Sequence, residues 1–210
     1  MGDTGRAGTT GRAGKIGKTG KIEGPSSDCL RDHFLLAMPS LDAGIFAGSI
    51  TYICEHGEAG AMGLVINQPL DLTLYEILEH LDIDVDPAIA DREVLAGGPV
   101  QIDHGFILHR HGERRWDSSL RVTDAIQLTT SQDILKALAM GEGPEDFLVT
   151  LGYAGWSAGQ LEEEIAANSW LTLPADHDII FNTACEHRVA RAAAALGIDM
   201  NLMTSEAGHA

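Results

Sequence analysis

Gly155-Trp156-Ser157-Ala158-Gly159 is a literal G-x-S-x-G. In α/β-hydrolases that spacing forms a strained turn that lifts the serine above a sheet as a nucleophile. An apolar run precedes the pentapeptide and a helix-forming stretch follows it. Asp176, Asp178, His187 and His209 come later, in the acid-then-histidine order such an enzyme needs. Serine hydrolysis by Ser157 with His187 or His209 is therefore the enzymatic alternative. Two features count against it. The segments before Ser157 do not read as the βαβ units that build a hydrolase sheet, and no H-G-G-G oxyanion segment is present. Glycines on both sides of a tryptophan also suit a tight, closely packed turn. The balance falls on a protein without catalytic residues.

A second group surrounds the same stretch. Gln160, Glu164 and Asn168 recur every four residues, so on a helix they line one face. Tyr153, Trp156 and Trp170 flank them. A polar stripe between aromatics is a candidate binding surface for a small ligand or a protein partner. It is equally a hydrogen-bonded network that fixes a core.

His104, His109 and His111 are close in sequence, with Asp103 beside them. On a continued strand His109 and His111 share a face, as two metal ligands do. Without a cysteine or further carboxylate nearby the set is incomplete, and no metal is expected. The turns at Gly97-Gly98-Pro99 and Gly141-Glu142-Gly143-Pro144 lack phosphate-cradling spacing. They read as chain reversals, and no cofactor is expected.

Several elements must position these residues. Leu35–Met38 reads as a buried strand ended by Pro39, and Phe46–Cys54 and Ala61–Asn67 as a hairpin turning within Glu55–Gly60. Thr73 and Glu76 form a capping box for a helix carrying Leu74, Ile77, Leu78 and Leu81. Strands follow at Glu93–Leu95, Gly105–His109, Ser118–Val122 and Ile126–Thr129. Ser131 opens a helix that stops at Gly141. Asp146–Tyr153 is a strand, Gln160–Ala167 an acidic helix, and Asp178–Phe181 another strand. Thr183 and Glu186 are a second capping box, for a helix running to Gly197. Several strands precede any alternation with helices. That predicts an α+β fold with a mostly antiparallel sheet, not a doubly wound parallel one.

The chain has 210 residues and a net charge of −17. Its length suits one domain. Residues 1–27 read as a disordered tail with glycine at every third position from Gly2 to Gly20 but no proline before Gly24, which argues against a collagen helix. The domain is residues 28–210. The first 24 residues carry five basic against two acidic groups, leaving nine basic and 29 acidic, a net of −20, for the rest. So acidic a domain repels a phosphate backbone, and direct DNA binding is not expected. Apolar runs are too short for a membrane span, and no secretory signal is apparent. Cys29, Cys54 and Cys185 form no C-x-x-C pair, which fits a reducing, cytoplasmic setting.

Several of these segments resemble the AlgH/YqgE proteins. They are Leu36-Ala37-Met38-Pro39, Gly60 through Asn67, Gly97-Gly98-Pro99-Val100 and Gly105 through His109. The run Leu151 through Glu162, Asn168-Ser169-Trp170-Leu171 and the closing Gly208-His209-Ala210 complete the match. The resemblance spans residues 30–210. It implies a compact α+β domain with a strongly bent sheet and flanking helices. It also implies a regulatory role, which the family's label extends to transcription. It brings no agreed activity, cofactor or catalytic residue, and such proteins can carry glycine at the position of Ser157. The expectation is a non-enzymatic regulator acting through protein or small-ligand contacts.

Overall fold

The computed structural model describes residues 29–41, 44–85, 89 and 91–198. The tail at residues 1–27, together with His209 and the closing tripeptide, lies outside them.

Phe34, Leu35, Leu36 and Ala37 are all buried although their side chains alternate between faces, so the first strand is covered on both sides. This strand, β1 (His33–Ala37), pairs antiparallel with β2 (Ile50–Gly57). β2 and β3 (Gly60–Val65) form the expected hairpin, with the turn tightened to Glu58 and Ala59 because Gly57 already pairs with Gly60. Residues 44–46 form a short 3-10 turn in place of the expected strand start. β4 (Pro69–Thr73) leads into α1 (Leu74–His80), where the Thr73–Glu76 capping box is present in full.

After β5 (Glu93–Ala96) comes the long β6 (Val100–Arg110), followed by β7 (Ser119–Arg121) and β8 (Ile126–Thr129). Then come α2 (Gln132–Ala139), β9 (Phe147–Ser157), α3 (Gln160–Ala166), β10 (Trp170–Pro174), α4 (His177–Phe181) and α5 (Arg188–Ala195). The main path of the sheet runs β10-β1-β2-β3-β9-β6-β8-β7, antiparallel throughout. Only β5 runs parallel to its neighbour β9. The fold is α+β, and the sheet curls into a half-barrel.

Two expectations at the C-terminal end are corrected. Asp178–Phe181 belongs to helix α4, not to a strand. The Asp176 carboxylate accepts from the Asp178 backbone N–H and starts a helical turn, and the three-residue apolar run Ile179-Ile180-Phe181 carries no period that separates strand from helix. Nor do Thr183 and Glu186 cap a helix. The Thr183 hydroxyl donates to the Asp178 carbonyl, and Cys185–His187 is a 3-10 turn before α5 begins at Arg188. The predicted stop at Gly197 holds, with φ of 70°.

β5 and β6 pair with the same three residues of β9, Val149 to Leu151, so they must flank it on opposite edges. The chain therefore crosses over β9 between Ala96 and Val100, and Gly97-Gly98 is the crossing. A Cβ on Gly97 would overlap the Gly152 carbonyl oxygen, and one on Gly98 would overlap the Tyr153 backbone. Gly152 itself sits at φ 73° as an extra residue in β9. Before it Phe147, Val149 and Leu151 face α1 and α2; after it Ala154 and Trp156 continue on that same face. A bulge of this kind bends a strand and sharpens its twist.

Three apolar clusters result. Phe34, Tyr52, Leu64 and Phe106 lie with α4 and α5 on one face of the sheet. Val94, Ile107 and Val149 lie beneath α1 and α2 on the other face. Leu35, Ile53, Trp156 and Trp170 lie beneath α3, farther along that face.

Candidate functional site

Gln160 and Glu164 do meet the tryptophans. The Glu164 Oε2 oxygen accepts from Trp156 Nε1 and from Trp170 Nε1, each at 2.8 Å. Glu164 Oε1 accepts from Gln160 Nε2 at 2.9 Å, and Gln160 Oε1 accepts the Ser157 backbone N–H at 3.0 Å. Both indoles are buried, 7% and 3% exposed, so little of either ring is left for a ligand. This network fastens α3 to β9 and β10. Asn168 is not part of it. It adopts φ 58° just past α3, and the Ser169 and Asn168 N–H groups return to the Glu164 and Ile165 carbonyls in a Schellman closure. Tyr153 stands on the opposite face of β9, against Phe106 with ring centroids 5.4 Å apart.

Ser157 is the exposed last residue of β9, and Ala158 and Gly159 turn the chain into α3. The left-handed backbone of that turn falls on Gly159, at φ 78°, and not on Ser157, so the strained serine of a nucleophile elbow is not formed. The only described histidine lining the same concavity is His56, and its ring is engaged. Nδ1 accepts the Leu30 N–H at 3.0 Å, which puts the proton on Nε2, 2.8 Å from Glu162 Oε1. A histidine so held has no lone pair to take a serine proton. His187 lines a separate cleft with Asn182 and Arg191. The hydrolase alternative finds no support in this geometry.

Tyr153 and Trp156, two of the expected binding residues, line a concavity beside Ser157 whose other walls the sequence did not point to. It encloses about 740 Å³ on the Tyr153 and Phe106 face of the sheet, between the β2–β3 hairpin, β6 and β9. Register explains it. Gly57 pairs with Gly60 and Gly60 with Ser157; two rows on, and so on the same face, Glu55 pairs with Met62 and Met62 with Gly155. Three glycines across three strands leave the sheet backbone bare, walled by Met62, Phe106 and Tyr153. The Tyr153 ring leans over Gly155, 3.2 Å from where a Cβ would stand. On its side away from β3, β9 pairs with β6 only as far as Tyr153–Val100. Among the described residues no strand covers Gly155 to Ser157 on that edge. Glu55 and Glu58 stand on the rim, in no ion pair with a described residue.

The histidine group disperses. His109 is buried. Its Nδ1 donates to the Arg110 carbonyl at 2.8 Å, and its Nε2 accepts from Thr129 Oγ1 at 2.9 Å, while burial pushes its pKa below the usual histidine value. His104 is exposed and bonded to Asp103; His111 lies past the end of β6. Among the described residues no group of three or more His, Cys, Asp or Glu side chains is placed to hold a metal. No helix among them is long and apolar enough to cross a membrane.

A half-barrel sheet buried on both faces, with a glycine-floored groove at one end, defines a small α+β protein organised around its sheet. The chain belongs to the AlgH-like family, whose model matches residues 34–201. It is 55% identical over 185 residues to a UPF0301 protein of Thioalkalivibrio sulfidiphilus, covering 88% of this chain and 99% of that one. A UPF0301 protein of Chromohalobacter salexigens is 54% identical, covering 86% and 98%. The solution structure of the AlgH protein from Pseudomonas aeruginosa is 47% identical and superposes with a TM-score of 0.73, covering 90% of this chain and all of that one. A Corynebacterium diphtheriae protein shares the fold at a TM-score of 0.66 and 18% identity, over 83% and 91% of the two chains.

Proposed function

We propose that this protein is a non-catalytic docking protein. It holds an extended, basic segment of a partner protein in the glycine-floored groove and exerts a regulatory effect through that contact. The observation that carries this reading is the open edge of β9 at Gly155–Ser157, lying over a bare backbone floor. An extended peptide adds naturally to such an edge, because main-chain hydrogen bonds supply affinity and wall residues supply preference. Met62, Phe106 and Tyr153 offer apolar and aromatic contact, and Glu55 and Glu58 favour lysine or arginine over acidic side chains. The Ser157 N–H is already held by Gln160 Oε1, and neither it nor the hydroxyl takes part in the docking. The domain's net negative charge turns the regulatory role towards protein rather than DNA. Cysteines that form no C-x-x-C pair, free in the fold, support a reducing, cytoplasmic setting for that role.

The test is a titration of isotope-labelled protein with two acetylated pentapeptides, Lys-Val-Lys-Val-Lys and Glu-Val-Glu-Val-Glu. The basic peptide is expected to shift the amides of Met62, Val100, Gly155 and Ser157, and the acidic one to leave them in place. Glu55→Lys with Glu58→Lys, both exposed, should abolish the preference without unfolding the domain. Shifts elsewhere, or equal response to both peptides, sink the reading.

A further inference from the structure

The opposite face of the sheet carries a second concavity, of about 530 Å³, between α1, α2 and the β6–β9 pair. That size is ordinary for a small-molecule site. Its floor is apolar: Ile107, Val149 and Leu151 from the sheet, with Ile77 and Leu81 from α1 and Leu135 from α2 closing the sides. At its mouth stands Gly105, on the same face as Ile107, where an added Cβ would meet nothing within 4 Å. The cleft is therefore open at a position where a larger residue would narrow it.

The rim is polar and of one sign. Glu76 and His80 come from α1, and Asp103 and His104 from the bulged part of β6; none of the residues lining the cleft is a lysine or an arginine. Glu76 uses Oε2 to accept from the Thr73 N–H and hydroxyl, at 2.8 and 2.9 Å. Asp103 uses Oδ1 towards His104 Nδ1, at 2.9 Å. Each carboxylate keeps its second oxygen without a protein partner among the described residues. The same hydrogen bonds hold both acids below the usual carboxylate range, so both are ionised at neutral pH.

From the apolar floor and the two half-free carboxylates above it, we infer that this cleft binds a small amphiphilic cation, a short alkyl or aryl body bearing an ammonium group at the rim. The body is buried against Ile107, Val149 and Leu135, and the ammonium donates to Glu76 Oε1 or Asp103 Oδ2. An anion of the same shape gains the apolar contact but faces two like charges. Rim groups in water discriminate modestly, so the preference for cation over anion is roughly tenfold at low salt. This site is separate from the peptide groove and does not depend on it.

The experiment titrates isotope-labelled full-length protein with hexylammonium, hexanol and hexanoate, following amide shifts at Ile77, Gly105 and Leu135. All three probes share one apolar body, so the body and the charge are tested separately. Saturable binding is expected in the order hexylammonium, hexanol, hexanoate, with the gap closing in 0.5 M salt (a Debye length of only a few ångströms). Asp103→Asn should bring hexylammonium towards hexanol. Glu76 is left intact because it caps α1. Gly105→Phe should block all three probes while thermal unfolding stays where it was. Hexanoate binding as tightly as hexylammonium, hexanol matching hexylammonium, or no saturable shift at the cleft with any probe each overturns the inference.

Discussion

Trp156 and Trp170 stand edge to face, ring centroids 6.0 Å apart, and both indole N–H groups point at one oxygen of Glu164. Trp156 comes from β9 and Trp170 from β10, strands at well-separated places in the sheet order, so a single carboxylate on α3 ties the curl together. Replacing Glu164 by Ala leaves two buried donors without an acceptor. At about 1–3 kcal/mol for each buried group left unsatisfied, the loss should be roughly 2–4 kcal/mol. Glu164→Gln keeps an oxygen for the indoles and should cost less than half of that. Chemical unfolding measures the difference, and tryptophan emission should shift to the red in Glu164→Ala. A neutral Glu164→Ala would mean that the tryptophans, not the carboxylate, hold α3.

Much of this was legible in the sequence, for physical reasons. The four-residue spacing from Gln160 to Glu164 puts both on one helix face whatever the tertiary structure, and the Thr73–Glu76 box is a local signal that needs no partner. What was hidden depends on register. Gly57, Gly60 and Gly155 look like three unrelated turn residues until the pairing of β2, β3 and β9 sets them side by side. Asn168 illustrates the converse. Its place in the four-residue series suggested a polar face, yet a left-handed backbone just past the helix end is what it supplies. Asp178–Phe181 failed because a short apolar run has no period, and the Asp176 cap decides it.

Gly98 and Gly159 make a matched pair for testing the crossing over β9. Both need unusual backbone, with φ of 156° and 78°, but an added Cβ at Gly159 meets open space while one at Gly98 runs into the Tyr153 backbone. Gly159→Ala should cost about 1 kcal/mol, the usual penalty for a side chain in left-handed backbone. Gly98→Ala has no room to relax without lifting the crossing off the β9 backbone. A loss well above 3 kcal/mol, or failure to fold, is expected. Similar costs for the two in parallel unfolding measurements would show that the crossing can open.

His109 gives the fold a pH dependence. Burial between Thr129 and Arg110 pushes its folded pKa below the ordinary value near 6.5, so the unfolded chain takes up the proton first. The group's contribution is then full above about pH 6.5 and is lost as pH falls through the folded value. Among the groups facing it, the Arg110 carbonyl that accepts from Nδ1 opposes this shift without overcoming it, Thr129 and Trp116 are neutral, and the charge of His111, when present, lowers the pKa further. Unfolding free energy between pH 7.5 and 5 should fall more steeply for the wild type than for His109→Gln, which cannot titrate. Parallel curves for the two would remove His109 as the cause.

Ser157→Ala should leave the fold and any binding intact. The hydroxyl is exposed at the end of β9, and the neighbouring backbone N–H is already taken by Gln160, so the side chain supplies nothing the fold uses. Nucleophilic serine needs a base with a free lone pair, an orienting partner for that base and donors for the oxyanion. His56 lines the same groove, but its Nδ1 accepts from Leu30 and its Nε2 proton goes to Glu162, which together leave no acceptor. His187 belongs to another cleft. Gly155→Val should be far more damaging than Ser157→Ala, since a branched side chain there meets the Tyr153 ring and fills the groove floor. Unfolding of Ser157→Ala is expected within about 0.5 kcal/mol of the wild type, as for other exposed substitutions. A fluorophosphonate probe on the purified protein gives the sharper answer. Silence at Ser157 is expected. Labelling there that disappears in Ser157→Ala and in His56→Ala or His187→Ala would establish a nucleophile and replace the docking reading with hydrolysis.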